Sequence, residues 1–109
     1  MNQADTYLIN EKDTAEGSQG QKYLASGQEI ALRLWKEESA DTDKPQASRN
    51  YETVGYVISG QAELTLAGQT LALNPGDSWY IPKGSAHRYR ILESLTAIEA
   101  THPPARQDP

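Results

Sequence analysis

The chain of 109 residues contains no cysteine, no phenylalanine and only two histidines. Without cysteine it can form neither a disulfide framework nor a thiol redox centre, an iron–sulfur site or a zinc site with thiolate ligands. Two histidines also cannot supply three imidazole ligands to one metal. Hydrophobic residues make up 37% of the chain, a low share for a single globular domain. The core is therefore expected to be small, and a homodimer would bury additional surface.

The chain also lacks basic clusters and long apolar segments. Fifteen acidic residues stand against ten Lys and Arg, for a net charge of -5, so nucleic acids and anionic lipid surfaces should repel the protein. The longest apolar run is only a few residues, which is too short to cross a bilayer. The first residues lack the basic and apolar regions of a signal peptide. The sequence therefore predicts a cytoplasmic protein that binds neither nucleic acid nor membrane.

A regular pattern of short apolar runs extends from residue 29 to residue 100. Near its start, Ile30, Leu32 and Leu34 alternate with small or charged residues, which is the period of a half-buried strand; a short helix is the competing interpretation. Turn-forming glycines and prolines separate the later runs, and this spacing is typical of an all-β sandwich or barrel with little or no helix. The later strands are predicted at Thr53–Ser59, Ala62–Leu66, Thr70–Leu73, Trp79–Ile81, Ala86–Leu92 and Leu95–Glu99.

The flanking segments and one internal segment lack this pattern. Residues 1–28 are polar, and within them Thr6–Ile9 could form a short edge strand. The acidic residues 37–45 have no apolar face at either period, which predicts an exposed loop. Residues 101–109 contain three prolines and predict an extended or frayed tail, in which His102 should be exposed.

The most distinctive segment runs from Gly76 to His87. It predicts a turn that Asp77 caps, a four-residue strand, a second turn at Pro82 and Gly84, and then the histidine at the start of a strand. A neutral imidazole at this position could bind a metal or transfer a proton near neutral pH. A histidine with purely structural hydrogen bonds fits the same spacing, so the motif alone leaves both interpretations open.

The spacing of Gly76, Pro82, Gly84 and His87 resembles the second conserved motif of the cupins, Gly-x5-Pro-x-Gly-x2-His. That motif usually closes with an asparagine, and this chain has Ile91 there instead.

Residues 51–60, a strand that leads into a glycine turn, resemble the end of the first cupin motif. The resemblance spans about residues 29–100. It implies a small double-stranded β-helix, or jelly-roll, barrel between a polar segment at 1–28 and a proline-rich tail at 101–109.

The resemblance also implies where the family's metal ligands would lie. The first cupin motif is His-x-His-x3–4-Glu-x6-Gly, and Gly60 then aligns its glutamate with Thr53. Its two histidines fall on one of two pairs of positions, Gln46 and Ser48 or Ala47 and Arg49.

His87 is therefore the one matching ligand, and a single imidazole does not make a metal site. Glu52 could replace the missing carboxylate only if a β-bulge turned it inward. We predict no resident metal, with Fe, Mn, Ni or Zn held by non-standard ligands as the alternative.

The side chains near His87 predict a small-molecule pocket instead. Strand alternation places Tyr89 and Ile91 on the same face as His87, and Arg88 and Arg90 on the opposite face. An aromatic pocket with a few polar groups is typical of ligand sites, although Trp79 and Tyr89 could equally fill the core in place of phenylalanine. The predicted pocket comprises Gln46, Ser48, Arg49, Tyr51, Thr53, Trp79, His87 and Tyr89.

Four functions remain open at this point. The favoured one is a metal-free cupin that binds a small molecule in its barrel. The others are a metal-dependent dioxygenase or isomerase that uses His87, metal-free acid–base catalysis by His87 with Tyr51 or Tyr89 as the second acid, and an oligomeric or regulatory module that acts as a homodimer.

Overall fold

The computed structural model of the chain describes residues 7–17 and 20–105. One 3-10 helix, Glu11–Asp13, precedes six strands. The strands are β1 Gln21–Ser26, β2 Ala31–Glu38, β3 Glu52–Leu66, β4 Gln69–Leu73, β5 Ser78–Ile81 and β6 His87–His102. The prediction of an all-β fold is confirmed, and β2 excludes a helix at residues 31–38. Within the described ranges, no helix has the length and apolar character needed to cross a membrane.

All six strands form one antiparallel sheet in the order β1–β2–β6–β3–β4, with β5 paired to β3. The two longest strands, β3 and β6, pair along most of their length, from Glu52 opposite His102 to Leu66 opposite His87. Each of them joins two runs that the sequence predicts as separate strands. They are continuous because the turn signal at Gly60 marks a bulge inside β3 rather than a chain reversal.

The bulge changes which residues of β3 face the interior. Before it, Thr53 and Val57 are buried, and after it Ala62 and Leu64 are buried, so the inward positions shift from odd to even numbers. Gly60 has a φ of 90°, and a Cβ at this position would overlap the backbone of Ser94. Only glycine fits this position without strain.

The apolar core lies around the bulge and beyond it, between β3, β4, β5 and the middle of β6. Its buried members are Val57, Ala62, Leu64, Leu73, Trp79, Ile81, Ile91, Leu95 and Ala97. The other end of the barrel interior contains buried polar side chains, among them Arg33, Thr53, Glu99 and Thr101. The barrel interior therefore has an apolar end and a polar end.

The sequence pattern predicts the wrong buried face for β2, because the residues that it places inside are exposed. Ile30 and Leu32 are 56% and 38% exposed, whereas Ala31 and Arg33 are 4% and 8% exposed. The interior accepts the charged side chain because Glu99 lies directly opposite Arg33 in the β2–β6 register and forms an ion pair with it. A matched counter-charge on the neighbouring strand thus overrides the hydrophobic alternation.

The edge strand is also displaced from its predicted position. Thr6 lies outside the described residues, and Tyr7–Ile9 contain no strand. The edge is instead β1, which pairs with β2 from Gln21 opposite Trp35 to Ser26 opposite Ala31. Backbone pairing holds this strand, and its polar sequence carries no alternating apolar signal that could reveal it.

The start of the predicted tail packs against the barrel rather than fraying. Strand β6 continues to His102, Thr101 and Ala105 are buried, and the Ala105 N–H donates to Thr101 Oγ1 at 2.8 Å. His102 is half-exposed, as predicted, and its Nδ1 lies 3.7 Å from the Glu52 carboxylate. Residues 106–109 are outside the described residues.

Candidate functional site

A cavity of about 600 Å³ opens into the barrel interior. Of the eight predicted pocket residues, six line it: Arg49, Tyr51, Thr53, Trp79, His87 and Tyr89. Gln46 and Ser48 do not. Gln46 is exposed, and the Ser48 hydroxyl donates to the Gly84 carbonyl at 2.9 Å.

The segment between β2 and β3 forms the roof of this cavity. Its backbone pairs with β6 at two bridges, Asp41 with Ile91 and Ala47 with His87. From the outer side of β6, the Arg88 guanidinium donates to the carbonyls of residues 42 and 44 at 3.1 and 3.0 Å. Most of the predicted acidic loop is exposed, as expected. It borders the cavity because these bonds draw it across the barrel.

The bridge at Ala47 fixes the register of the chain that leads into β3. Ala47, Arg49 and Tyr51 line the cavity, whereas the residues between them do not. Of the two alignments with the first cupin motif, the structure therefore places Ala47 and Arg49, rather than Gln46 and Ser48, toward the interior. A loop of this kind gives no periodic signal from which this one-residue choice could be made.

These residues do not fit the divalent metal that the resemblance implies. The three positions that correspond to first-motif ligands carry Ala47, Arg49 and Thr53, which offer a methyl group, a cation and a neutral hydroxyl. Among the described residues there is no group of three or more His, Cys, Asp or Glu side chains that could hold a metal ion. Of the four aligned ligand positions, only His87 provides a donor of the kind that Fe, Mn, Ni or Zn requires.

Glu52 does not compensate for the missing carboxylate. The bulge that could have turned it inward lies further along β3, between Val57 and Ala62. Glu52 is instead 46% exposed in its side chain and lies near His102, outside the cavity.

A buried ion pair, which the sequence analysis missed, forms the polar wall of the cavity. Arg33 Nε donates to Glu99 Oε1 at 2.7 Å, and Arg33 and Glu99 are 8% and 2% exposed. Burial alone would lower the pKa of Arg33, but the Glu99 carboxylate and Tyr51 raise it above its ordinary value. The Arg33 guanidinium is therefore charged throughout the physiological range, and the Glu99 carboxylate is the counter-charge that it pairs with.

Aromatic side chains complete the network around Glu99. The indole of Trp35 donates to Glu99 Oε1, and the Tyr89 hydroxyl donates to Oε2 at 3.3 Å. Trp79 Nε1 in turn donates to the Tyr89 hydroxyl at 3.0 Å. Burial and the nearby Glu99 charge raise the pKa of Tyr89 well above its ordinary value, so this phenol stays protonated. Its oxygen and its proton are both engaged within the protein.

A signal for this pair was present in the sequence, although it was weak. Arg33 and Glu99 each interrupt an apolar run with a charge of opposite sign, but 66 positions separate them. Only the pairing of β2 with β6 brings them together. Trp79 also depends on a neighbouring strand, because it lies opposite Gly55 in the register and a Cβ at Gly55 would overlap the indole.

His87 is 8% exposed and packs edge-to-face on Tyr89, with 5.7 Å between the ring centroids. Its Nδ1 lies 3.0 Å from the Ser85 carbonyl oxygen. Since a carbonyl only accepts, Nδ1 carries the proton, and Nε2 of the neutral ring is an acceptor. The imidazole is therefore held in one tautomer beside the cavity, where it can accept a hydrogen bond or a proton.

Comparison with known proteins agrees with this geometry. Residues 37–99 match the sequence model of the cupin domain. An uncharacterised protein of Streptomyces coelicolor is 33% identical over 67 residues, or 61% of each chain. The 3-hydroxyanthranilate 3,4-dioxygenase of Mus musculus is 34% identical over 50 residues, or 46% of this chain and 18% of the enzyme. The matches thus cover less than two thirds of the length of either relative.

Solved structures of similar shape extend over nearly the whole chain. KdgF from a Halomonas species superposes with a TM-score of 0.73 at 23% identity, covering 88% of this chain and 93% of its own. An RmlC-like cupin from Shewanella frigidimarina gives a TM-score of 0.74 at 19% identity, with 94% of each chain covered. At these identities the likeness shows the fold, a cupin jelly roll. Because the domain model also covers more than half of the chain, the protein belongs to the cupin domain family.

Proposed function

We propose that the chain binds a small organic molecule in the barrel cavity and does so without a resident metal. The observation that carries this proposal is the cavity itself, whose volume of about 600 Å³ lies within the ~300–1,000 Å³ of ligand sites. Its walls combine aromatic rings with a few fixed polar groups. The positions of the first cupin motif carry neither the carboxylate nor the imidazoles that would hold a metal, which supports binding of the molecule by the side chains alone.

The buried network makes this pocket rigid before a ligand arrives. Glu99 accepts from Arg33, Trp35 and Tyr89, so its lone pairs are used within the protein. A bound ligand can instead contact the flat faces of the aromatic rings and donate a hydrogen bond to Nε2 of His87. Such a preorganised site loses little conformational entropy on binding.

The two tryptophans of the chain, Trp35 and Trp79, both line the cavity, so intrinsic fluorescence can report occupancy. We expect a library of small cyclic and aromatic compounds, screened by ligand-observed NMR with EDTA present, to yield binders that change this fluorescence. His87→Gln should weaken those that donate to the imidazole about tenfold, the equivalent of one lost hydrogen bond. The matched control, His102→Gln, changes an exposed histidine outside the cavity and should have no effect.

Two results would contradict the proposal. One is a screen in which no compound binds in the cavity. Binding in the cavity is recognised because the variant Ala47→Trp, which fills it, prevents that binding. The other is near-stoichiometric Fe, Mn, Ni or Zn in protein purified without chelator and lost in His87→Gln.

Acid–base catalysis by His87 is a second candidate, favoured by the fixed tautomer. Tyr89 is a poor partner acid because its hydroxyl is engaged at both ends. Tyr51 fits better, since its oxygen accepts from Arg33 at 3.1 Å and its own proton can point to a ligand. If this chemistry occurs, a bound ketone will exchange its α-protons with deuterated solvent, and His87→Gln will stop the exchange. Retained exchange in that variant would exclude the mechanism.

We also propose that the protein is a homodimer formed through the outer face of β2, β6, β3 and β5. This outer apolar patch consists of Ile30, Leu32, Val54, Tyr56, Ile58 and Tyr80, which are 38–56% exposed. The strand register places Leu32, Ala100, Val54 and Tyr80 in one row across four strands. Contiguous exposed apolar patches of this kind mark interaction sites.

A second copy is the occupant that best fits this patch, because a flat apolar sheet face is complementary to itself across a two-fold axis. Sedimentation velocity at about 10 μM should show a dimer, and Tyr56→Glu should dissociate it because the carboxylate would be buried without a partner. Leu92→Glu is the matched control, since Leu92 is 41% exposed but lies outside the patch. A wild-type monomer at this concentration would refute the dimer.

A further inference from the structure

Arg49 is a cation on the wall of the cavity. It follows the Ala47 bridge in the alternating series that faces inward, and its carbonyl accepts from the Gly84 N–H at 2.8 Å, which fixes the backbone. The residue is half-buried. Its guanidinium is charged at every physiological pH.

The other cations that line the cavity have partners. Arg33 pairs with Glu99 at 2.7 Å, and Lys44 lies 3.7 Å from the Glu38 carboxylate. No carboxylate of the described residues lies within the 4.0 Å of an ion pair from Arg49.

Two further acidic residues border the cavity, Asp41 and Asp43, and both are exposed at its mouth. Asp41 Oδ1 accepts from the Asp43 N–H at 2.9 Å, so its carboxylate is turned to the local loop. Among the described residues, Arg49 is therefore the cavity cation without a carboxylate partner, and such a group gains most from an anion that the pocket encloses.

The position of Arg49 in the first motif indicates which kind of ligand group it could bind. It aligns with a histidine of the first cupin motif, in the register that the structure selects. In that motif the histidine would bind a metal cation, whereas in this chain the same position carries a positively charged side chain. A ligand group that carries negative charge would best complement Arg49.

We propose that Arg49 binds the carboxylate of a cyclic or aromatic carboxylic acid, whose ring lies against Trp79 and Tyr89. This inference rests on the proposed function and specifies its ligand class. A guanidinium binds a carboxylate through two parallel N–H···O bonds, which fixes orientation as well as position. A hydroxyl or amine on the ring can donate to His87 Nε2 at the same time.

The test uses benzoate as the probe and benzamide as its neutral analogue, with tryptophan fluorescence as the readout and EDTA present. Wild-type protein should bind benzoate at least tenfold more tightly than benzamide. Arg49→Gln should abolish this preference and weaken benzoate at least tenfold, while Arg49→Lys should retain part of it because the charge remains. The matched control, Arg90→Gln, removes a guanidinium that pairs with Glu63 on the outer face at 2.7 Å and should behave as wild type.

The outcomes separate this inference from the proposed function. If benzamide binds wild type as tightly as benzoate, or if Arg49→Gln keeps the preference, the assignment of Arg49 is wrong and the cavity remains a binding site for neutral molecules. If neither probe binds and the compound screen also yields no cavity ligand, the proposed function fails and this inference fails with it. Circular dichroism and the partial rescue by Arg49→Lys distinguish loss of charge from loss of fold.

Discussion

At one end of the barrel, the inner face of the β2–β6–β3 sheet is polar and its outer face is apolar, the opposite of the usual arrangement. The inner face carries a buried ion pair, Arg33 with Glu99, whereas the outer face of the same strands carries Leu32, Val54 and Tyr56. The comparison shows that strand alternation defines two sets of side chains but not which of them is inside. That choice depends on whether a charge finds its counter-charge across the ladder, and on whether the apolar set has another surface to cover it.

The largest effect is expected when one charge is removed from the inner face. Glu99→Ala should lower the free energy of unfolding by about 3–5 kcal/mol, because it leaves the Arg33 guanidinium buried without its partner. Urea denaturation measures the loss. The double variant Arg33→Met/Glu99→Leu should regain most of it, since neither charge then remains. A loss below about 1 kcal/mol in the single variant would mean that the pair is solvated rather than buried.

A smaller effect is expected at the bulge, where β3 exchanges its inward and outward residues. Gly60→Ala should cost about 2 kcal/mol or more, because the new Cβ requires both a left-handed backbone and space that the Ser94 backbone occupies. The same urea measurement applies. Gly68→Ala is the control, since Gly68 also has a positive φ of 76° but open space around it. Equal losses would show that the close approach at Gly60 contributes nothing.

Tyr89 should make the inner face sensitive to alkali. Its pKa is raised in the folded state by burial and by Glu99, so its contribution to stability is full below the unfolded pKa of about 10 and is lost as pH rises through the folded value. Tyr89→Phe should lose about 1–2 kcal/mol at neutral pH, because Trp79 and Glu99 each lose a hydrogen bond. The difference in stability between wild type and variant should shrink above pH ~10. A difference that grows with alkali would overturn this prediction.

The smallest effect is expected on the outer face. Val54→Thr should change the free energy of unfolding of the monomer by less than about 0.5 kcal/mol, because the side chain is 51% exposed and has no buried partner to lose. The measurement is made at a concentration low enough to dissociate any dimer. A loss as large as that at Gly60 would show that this face is covered within the monomer.

The sequence predicts most of the barrel because its turns are local. Glycines and prolines mark the strand ends, and the segment from Gly76 to His87 forms the turn, strand and histidine that its spacing indicates. Strand alternation also groups Tyr89 and Ile91 with His87 on one face. These features need no information from distant parts of the chain.

The remaining features depend on long-range register. The inner face of β2 is decided by Glu99, which lies on another strand, and the inward choice of Arg49 over Ser48 is decided by a backbone bridge to His87. A shift of one residue exchanges the two faces of a strand. Local periodicity cannot detect such a shift.

The roof of the cavity has more chain than its span requires. Between the two bridges it advances from Asp41 to Ala47 while β6 advances only from Ile91 back to His87, so two extra residues are stored in the arch. From outside the barrel, Arg88 fixes this part of the arch by donating hydrogen bonds to the carbonyls of residues 42 and 44. Loss of these two surface hydrogen bonds would therefore leave the arch held at its ends by the two backbone bridges. The roof of the cavity is therefore positioned in part by a side chain, Arg88, that does not line the cavity.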